Sequence, residues 1–197
     1  RVSHTYYSTG IQLENTWCQD KLRPIGGTRG DDEEELIAEF LRGYYGAAAP
    51  HIQDYIDSMH DAAAQSGHFL TYASPHTAPF LTPDVLNKAA ALFDVAEAAL
   101  ADRPDTLQRV KVCRLPIQYV RLTQWERLRA AARANGVPWL VGDDRSALLR
   151  SFLTVAEENA VTFIKEGALM ASSWRRQLTF HVGYPLRRSP VRGSQRK

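Results

Sequence analysis

Cysteine is scarce in this 197-residue sequence, and long hydrophobic runs are missing. The two cysteines, Cys18 and Cys113, lie far apart, whereas a disulfide framework needs more cysteines in a shorter chain. We therefore predict free thiols and leave the redox compartment and the localisation open. No run approaches the ~18 apolar residues that a membrane-spanning helix requires. The sequence predicts a soluble chain with no membrane partner, and its opening, RVSHTYYSTG, is typical of a cut or processed start rather than of a signal peptide.

Motifs for metal or nucleophilic chemistry are also missing from the sequence. It contains no HExxH, no paired CxxC and no GxSxG, and GGTRGDD lacks the lysine of a phosphate-binding P-loop. His51 and His60 share a predicted helix, but at ~100° per residue their spacing places them on opposite sides of it. We therefore expect no metal and no cofactor.

Charge is distributed unevenly along the chain. The formal net charge is +2, yet residues 175–197 hold seven basic residues and no acidic one, which leaves −5 for residues 1–174. A basic end can contact nucleic acid or an anionic membrane. Because RRSPVRGSQRK has no aromatic residue for base stacking, the sequence favours a solvated, disordered tail and disfavours nucleic acid as a partner.

Apolar residues at helical spacing predict the first two helices on either side of a tyrosine pair. In DDEEELIAEFLRG, acidic residues in the first turn complement the helix dipole. The apolar stripe of this helix consists of Leu36, Ile37, Phe40 and Leu41. Gly43 is the expected left-handed stop, and Pro50 suits the first turn of the second helix.

Three further helices follow in the sequence. The third is predicted to begin with Thr82 as N-cap and Pro83 in the first helical position. The fourth is predicted over residues 105–134, with a kink at Pro116 and an end at Gly136. The fifth is predicted over residues 145–159.

These patterns predict a mainly α protein, a helical bundle of about five helices with short β-leaning fringes. The fringes are VSHTYYSTGIQLENTW near the start and VTFIKEG after the fifth helix. We divide the chain into residues 1–30, a helical domain at 31–175 and the basic tail at 176–197.

Four residues are candidates for a binding or catalytic role. Tyr44 and Tyr45, in FLRGYYG, either close one end of the first helix pair by packing or present rings to a sugar, because tyrosine suits both tasks. Glu14 follows the strand-like TGIQL and precedes Trp17, an arrangement that a sugar site at a barrel rim can use. An ordinary surface carboxylate is the alternative for Glu14, and we find no second carboxylate of the kind that standard glycoside hydrolysis requires.

Several stretches, taken in order, resemble the C-terminal part of a known family. They are EELIAEFLRGYYGAAAPHIQDYIDSMHDA, LTPDVLNKAAALFDVAEAAL, RVKVCRLPIQYVRL and NAVTFIKEG, and the resemblance covers roughly residues 33–167. The family is domain of unknown function 4838, bacterial glycoside-hydrolase-like proteins that are similar to α-glucuronidases and β-hexosaminidases.

The resemblance implies a (β/α)8 barrel ahead of a helical region, with residues 1–30 as the remnant of its last strand and loop. It implies catalytic machinery in that barrel, which is mostly outside this chain, and a carbohydrate as the parent protein's ligand. In that context Trp17, Tyr44 and Tyr45 approach the sugar cleft. The glycine-rich segment at 26–30 and the basic tail depart from the family pattern.

Two functions therefore compete. The first is a helical domain that supports a catalytic barrel or a subunit contact, such as a homo-oligomer, and is inactive alone, so that we leave open whether the chain acts as an enzyme. The alternative is a stand-alone helical interaction module whose basic tail binds an anionic partner. The sequence does not specify a substrate, a linkage or an oligomeric state.

Overall fold

The computed structural model of the protein describes residues 31–67, residues 77–161 and Leu178. Within these ranges the chain is helical and has no β-strand, which confirms the mainly α prediction for this part. The predicted first fringe and barrel remnant, within residues 1–30, lie outside the described residues, as does the second fringe at 161–167 except for Val161.

All five predicted helices are present, and the fourth is divided into two. In chain order the helices are α1 (Asp31–Tyr45), α2 (Ala49–Gln65), α3 (Pro83–Ala98), α4 (Pro104–Thr123), α5 (Trp125–Ala134) and α6 (Arg145–Glu158). A 3₁₀ turn at Gly46–Ala48 joins α1 to α2. In the described part of the chain, no helix is both long enough and apolar enough to span a membrane.

Local sequence signals set several of the helix ends. The N–H of Val85 donates to Thr82 Oγ1 at 3.4 Å, and Pro83 occupies the first turn of α3, as predicted. At the end of α5, Gly136 has a φ of +66°, and the N–H of Val137 donates to the carbonyl of Ala132 at 2.9 Å. This is a Schellman ending, in which glycine takes the left-handed position without steric cost.

The prediction that Gly43 ends α1 is wrong. The helix continues through Gly43 to Tyr45, and the left-handed residue is Gly46, with a φ of +56°. Tyr45 follows Leu41 by four positions and so extends the same buried stripe. Burial of Tyr45 in the core thus favours a helix that continues past Gly43.

The fourth predicted helix is divided in two, which the sequence analysis did not predict. The chain remains helical through the buried Pro116, and the break falls at Gln124, between α4 and α5. Two backbone carbonyls near this break accept hydrogen bonds from side chains. Thr123 Oγ1 donates to the carbonyl of Tyr119 at 2.8 Å, and Arg145 donates to the carbonyl of Leu122. A threonine hydroxyl bonded to the carbonyl four residues earlier often bends a helix.

The described residues pack into two apolar clusters. The first lies where α1, α2, α3 and α4 meet, and its largest fully buried aromatic side chain is Phe93. The second lies between α4 and α6 and contains Leu115, Phe152 and Leu178. Leu178 is 2% exposed although it falls in the predicted tail. The domain boundaries themselves remain a prediction.

One predicted core residue lies outside the core. Leu36 is 44% exposed, whereas Ile37 packs against the first cluster and Leu41 is buried within it. Residues 37, 41 and 45 repeat every four positions and form the buried stripe, and Leu36 lies one position, or ~100°, away from its start.

Candidate functional site

The tyrosine doublet lies at the corner between α1 and α2. Tyr45 is 5% exposed, and its ring meets that of Tyr44 edge to face, with the ring centroids 4.9 Å apart. Tyr44 is half-buried and stacks on Phe40, four residues earlier, at 5.3 Å between centroids. The structure therefore brings both candidates together as packed side chains.

Arg109 fixes the doublet to α4. Its Cζ lies 4.6 Å from the centroid of the Tyr44 ring, and its guanidinium donates to the carbonyl of Tyr44 at 2.9 Å. A guanidinium over a tyrosine face is attracted by the ring quadrupole. These contacts support the packing interpretation of the doublet, while its sugar-stacking role stays a prediction.

Glu14 and Trp17, the other two candidates, lie outside the described residues. His51 and His60 are both half-buried on α2. Within residues 31–67 and 77–161, no group of three or more His, Cys, Asp or Glu side chains is placed to hold a metal ion.

A polar groove, which the sequence analysis did not predict, lies between α3, α4 and α6. Its volume is about 500 Å³. Glu97 lines it from α3, and Val155 of α6 is its apolar lining residue. The remaining lining side chains are Lys111, Arg114 and Gln118 from α4, and Ser151, Thr154 and Glu158 from α6. The groove is therefore lined mainly by charged side chains of both signs and by neutral polar ones.

Arg114 joins two walls of this groove. One of its terminal nitrogens lies 2.7 Å from a carboxylate oxygen of Asp94 and 2.8 Å from one of Glu97. Burial lowers the pKa of Arg114, but hydrogen bonds and Coulomb attraction from Glu97 and Asp94 outweigh it, so the net pKa is raised. The guanidinium is therefore held charged and in place between α3 and α4.

Gln118 has a buried polar atom without a partner. Within the described residues, its side-chain oxygen is inaccessible to solvent and accepts no hydrogen bond. Nearly all buried polar atoms in folded proteins are paired, and an unpaired one costs about 1–3 kcal/mol. Gln118 is a lining residue of the groove, but this oxygen is closed to a molecule bound there, because it has no accessible surface.

Two other arginines connect helices, and one of them, Arg121, is buried. Arg121 is buried and donates to the carbonyl of Leu86 at 3.0 Å and to Asn87 Oδ1 at 3.1 Å. Burial lowers the pKa of Arg121 to about 10, with repulsion from Arg114 adding to the shift, so it stays charged at neutral pH. Arg145 donates to the carbonyl of Leu122, and its Cζ lies 6.0 Å from the ring centroid of Trp125.

Cys113 is a buried free thiol in the first cluster. Burial raises its pKa from 9.0 to about 11, and a hydrogen bond with Tyr45 opposes the rise only in part. The folded protein therefore favours the neutral thiol, and thiolate chemistry is suppressed at neutral pH.

This shift predicts a loss of stability in alkaline solution. Because the folded pKa of Cys113 exceeds the unfolded one, its contribution is fully present below pH 9 and is lost as pH rises through about 11. The loss amounts to about 2–3 kcal/mol. Urea unfolding of the wild type and of Cys113→Ala between pH 8 and 11 measures it. Cys18→Ala, which keeps Cys113, should retain the decline, and parallel profiles of the wild type and Cys113→Ala would contradict the prediction.

A sequence signal for the groove exists in hindsight. Polar lining residues recur at 111, 114 and 118 on α4 and at 151, 154 and 158 on α6, the same spacing of three and then four positions. This spacing places each set on one helix face. It does not reveal that the two faces meet, because that depends on how α4 packs against α6.

Comparison of the chain with protein-family models, with curated proteins and with solved structures finds no match.

Proposed function

We propose that the chain is the helical C-terminal domain of a glycoside-hydrolase-like carbohydrate-active protein. In this proposal it supports a catalytic barrel or a subunit contact and is inactive alone. The observation that carries it is the use of charged side chains to connect the helices. Arg114, Arg121 and Arg145 each connect neighbouring helices, which is a structural use of charge.

The positions of the resembling stretches add support. The first forms α1 and α2, the second forms α3, and the third lies within α4. These helices contribute to one apolar cluster, so the stretches belong to a single packed unit. Arg109 and Tyr44, from the third and first stretches, are in direct contact. A unit of this kind is suited to holding a neighbouring domain or subunit in place.

The purified chain tests the inactivity directly. We expect no turnover of aryl-glycosides or aryl-glucuronides above the background of the buffer. The Glu14→Gln variant is the control for the one candidate carboxylate near a strand-like segment. Robust turnover by the wild type that disappears in Glu14→Gln would overturn the claim that the chain is inactive alone. Light scattering on the same sample measures whether it forms the subunit contact.

A further inference from the structure

The outward face of α5 carries two arginines that are available to an external partner. Arg127 and Arg133 are exposed and lie on either side of Ala130, the centre of the outward face of this helix. Arg127 donates to the neutral side chain of Gln124 at 3.0 Å. Within residues 31–67 and 77–161, neither arginine forms an ion pair.

The acidic residues near α5 interact with other arginines. Residues 125–150 hold five arginines and three acidic residues. The interacting pairs are Asp143 with Arg129 at 2.7 Å, Asp144 with Arg150 at 3.4 Å, and Glu126 with Arg145 through Coulomb attraction. Arg127 and Arg133 are the two arginines that remain, so the net charge of +2 in this region lies on the outward face of α5.

An exposed leucine lies beside these two arginines. Leu140 is 65% exposed, although the residues near it in sequence are held against α5. The ring of Trp139 contacts that of Trp125, the first residue of α5, with the centroids 5.1 Å apart, and Asp143 is paired with an arginine of the same helix. Leu140 therefore lies along α5. We call the following three residues the basic patch: Arg127, Arg133 and Leu140.

The outward face of α1 carries the opposite charge around another exposed leucine. Glu35 and Glu39 are exposed and lie four positions apart, on one face of the helix. Leu36 is also exposed and precedes Glu39 by three positions, which makes the two side chains neighbours. We call these three residues the acidic patch. Residues 34–67 hold six exposed acidic residues and one basic residue, so the surrounding surface strengthens the negative field.

The two patches are complementary, because each combines two like charges with an exposed leucine and the charges are opposite in sign. Within one chain they belong to different parts of the fold. The helix α1 packs against α2 and α4, whereas α5 packs against α3 and α4. In the described part of the chain, no ion pair joins α1 to α5.

We propose that the basic patch of one copy of this chain binds the acidic patch of a second copy, so that arginines face glutamates and the two leucines meet. The proposal specifies the subunit contact in the function proposed above and in that respect rests on it. The two fail separately, because turnover by the chain would not affect the association, and a monomeric chain can still support a barrel. Exposed ion pairs are weak and screened by salt, and the patches are small, so the association is weak and salt-dependent.

Sedimentation equilibrium of the full chain over a range of concentrations tests the proposal. We expect reversible self-association with a dissociation constant of about 0.1–1 mM at low salt. The association should weaken at least tenfold in about 1 M salt, where the Debye length falls to ~3 Å. A chain that remains monomeric at low salt and ~1 mM protein would overturn the proposal.

Charge reversal connects the association to the two patches. Arg127→Glu/Arg133→Glu and Glu35→Lys/Glu39→Lys should each weaken self-association at least tenfold, because like charges then face each other. A mixture of the two variants should associate again, since each surface of one variant meets opposite charges on the other. Two folded variants that fail to associate when mixed would contradict the proposed pairing. Circular dichroism checks folding, and the arginine variant is informative by itself if the α1 variant unfolds.

Control variants separate the patches from net charge. Lys88→Glu/Arg103→Glu changes the net charge as much as Arg127→Glu/Arg133→Glu does, but it reverses exposed charges outside both patches. We expect it to weaken association by about twofold at most, because distant charges are screened. Leu140→Ala, which keeps all charges, should weaken association severalfold. An equal loss in the control, or unchanged association in Arg127→Glu/Arg133→Glu, which would place the contact elsewhere, such as on the basic end of the chain, would overturn the proposal.

Discussion

Phe93→Ala will lower the free energy of unfolding by about 3–5 kcal/mol, the usual cost of truncating a fully buried phenylalanine. Phe93 is 1% exposed and belongs to the first cluster. Its ring centroid lies 4.8 Å from that of Tyr55 on α2, so the residue joins α3 to α2. The truncation removes this ring contact and leaves a cavity that rigid helices fill only in part. Urea unfolding followed by circular dichroism measures the change.

The same helix supplies a matched control for this prediction. Val95 also lies on α3, but it is 50% exposed, so Val95→Ala should change the free energy of unfolding by no more than ~0.5 kcal/mol. Phe93→Leu keeps most of the apolar volume and should cost less than about 1.5 kcal/mol. The two Phe93 variants thus form a graded pair that remains measurable if alanine prevents folding. Equal effects of Phe93→Ala and Val95→Ala would show that the α2–α3 contact is not the centre of the core.

Helix ends were predictable where one residue type carries the local chemistry. Thr82 and Pro83 mark the start of α3 because a hydroxyl acceptor and a missing N–H suit a helix N-terminus. Gly136 marks the end of α5 because glycine takes a positive φ freely. Neither signal depends on distant parts of the chain, so these two helix ends could be predicted from the local sequence.

Other features depend on tertiary contacts, and the sequence did not reveal them. Gly43 and Gly46 are both glycines that can end a helix, and the choice of Gly46 follows from the burial of Tyr45 between them. The break at Gln124 coincides with a bond from Arg145, which lies on a helix further along the chain, to the carbonyl of Leu122. Propensity alone cannot choose between such alternatives, since packing overrides it.

The candidate site also combines features that the local sequence reveals with features that depend on tertiary contacts. Tyr44 and Tyr45 were recognisable from two adjacent aromatic residues between glycines, but their contact with Arg109 joins residues that are distant in sequence. Predicting the groove would require the packing of the fold, because its lining residues come from three separate helices. Its polar spacing on α4 and α6 is readable in the sequence, whereas the meeting of these two faces depends on the fold.

The buried Arg121 is another residue whose role depends on its surroundings. It interacts with two neutral oxygens, the carbonyl of Leu86 and Oδ1 of Asn87, rather than with a directly bonded carboxylate. Asn87 in turn donates to the carbonyl of Pro138 at 2.9 Å, so the amide joins α3, α4 and the loop after α5. A buried charge with neutral partners is sensitive to the loss of either one.

Asn87→Ala will therefore lower the free energy of unfolding by about 2–3 kcal/mol, the range for a hydrogen bond to a buried charge. Asn159→Ala is the matched control, because Asn159 also donates through its side-chain amide, to the carbonyl of Val155 and to Gln108, and neither of these described partners is charged. We expect that control to cost about 1 kcal/mol or less. Urea unfolding at neutral pH measures both.

The double variant Asn87→Ala/Arg121→Met decides whether the buried charge causes the loss. Methionine removes the charge and retains apolar volume, so Arg121→Met alone should change the free energy of unfolding by about 1 kcal/mol or less, since such replacements are often neutral. In its presence the effect of Asn87→Ala should shrink, with a coupling energy of at least ~1 kcal/mol. Additive effects of the two substitutions would mean that Asn87 acts through Pro138 alone, because only the bond to that carbonyl is independent of Arg121.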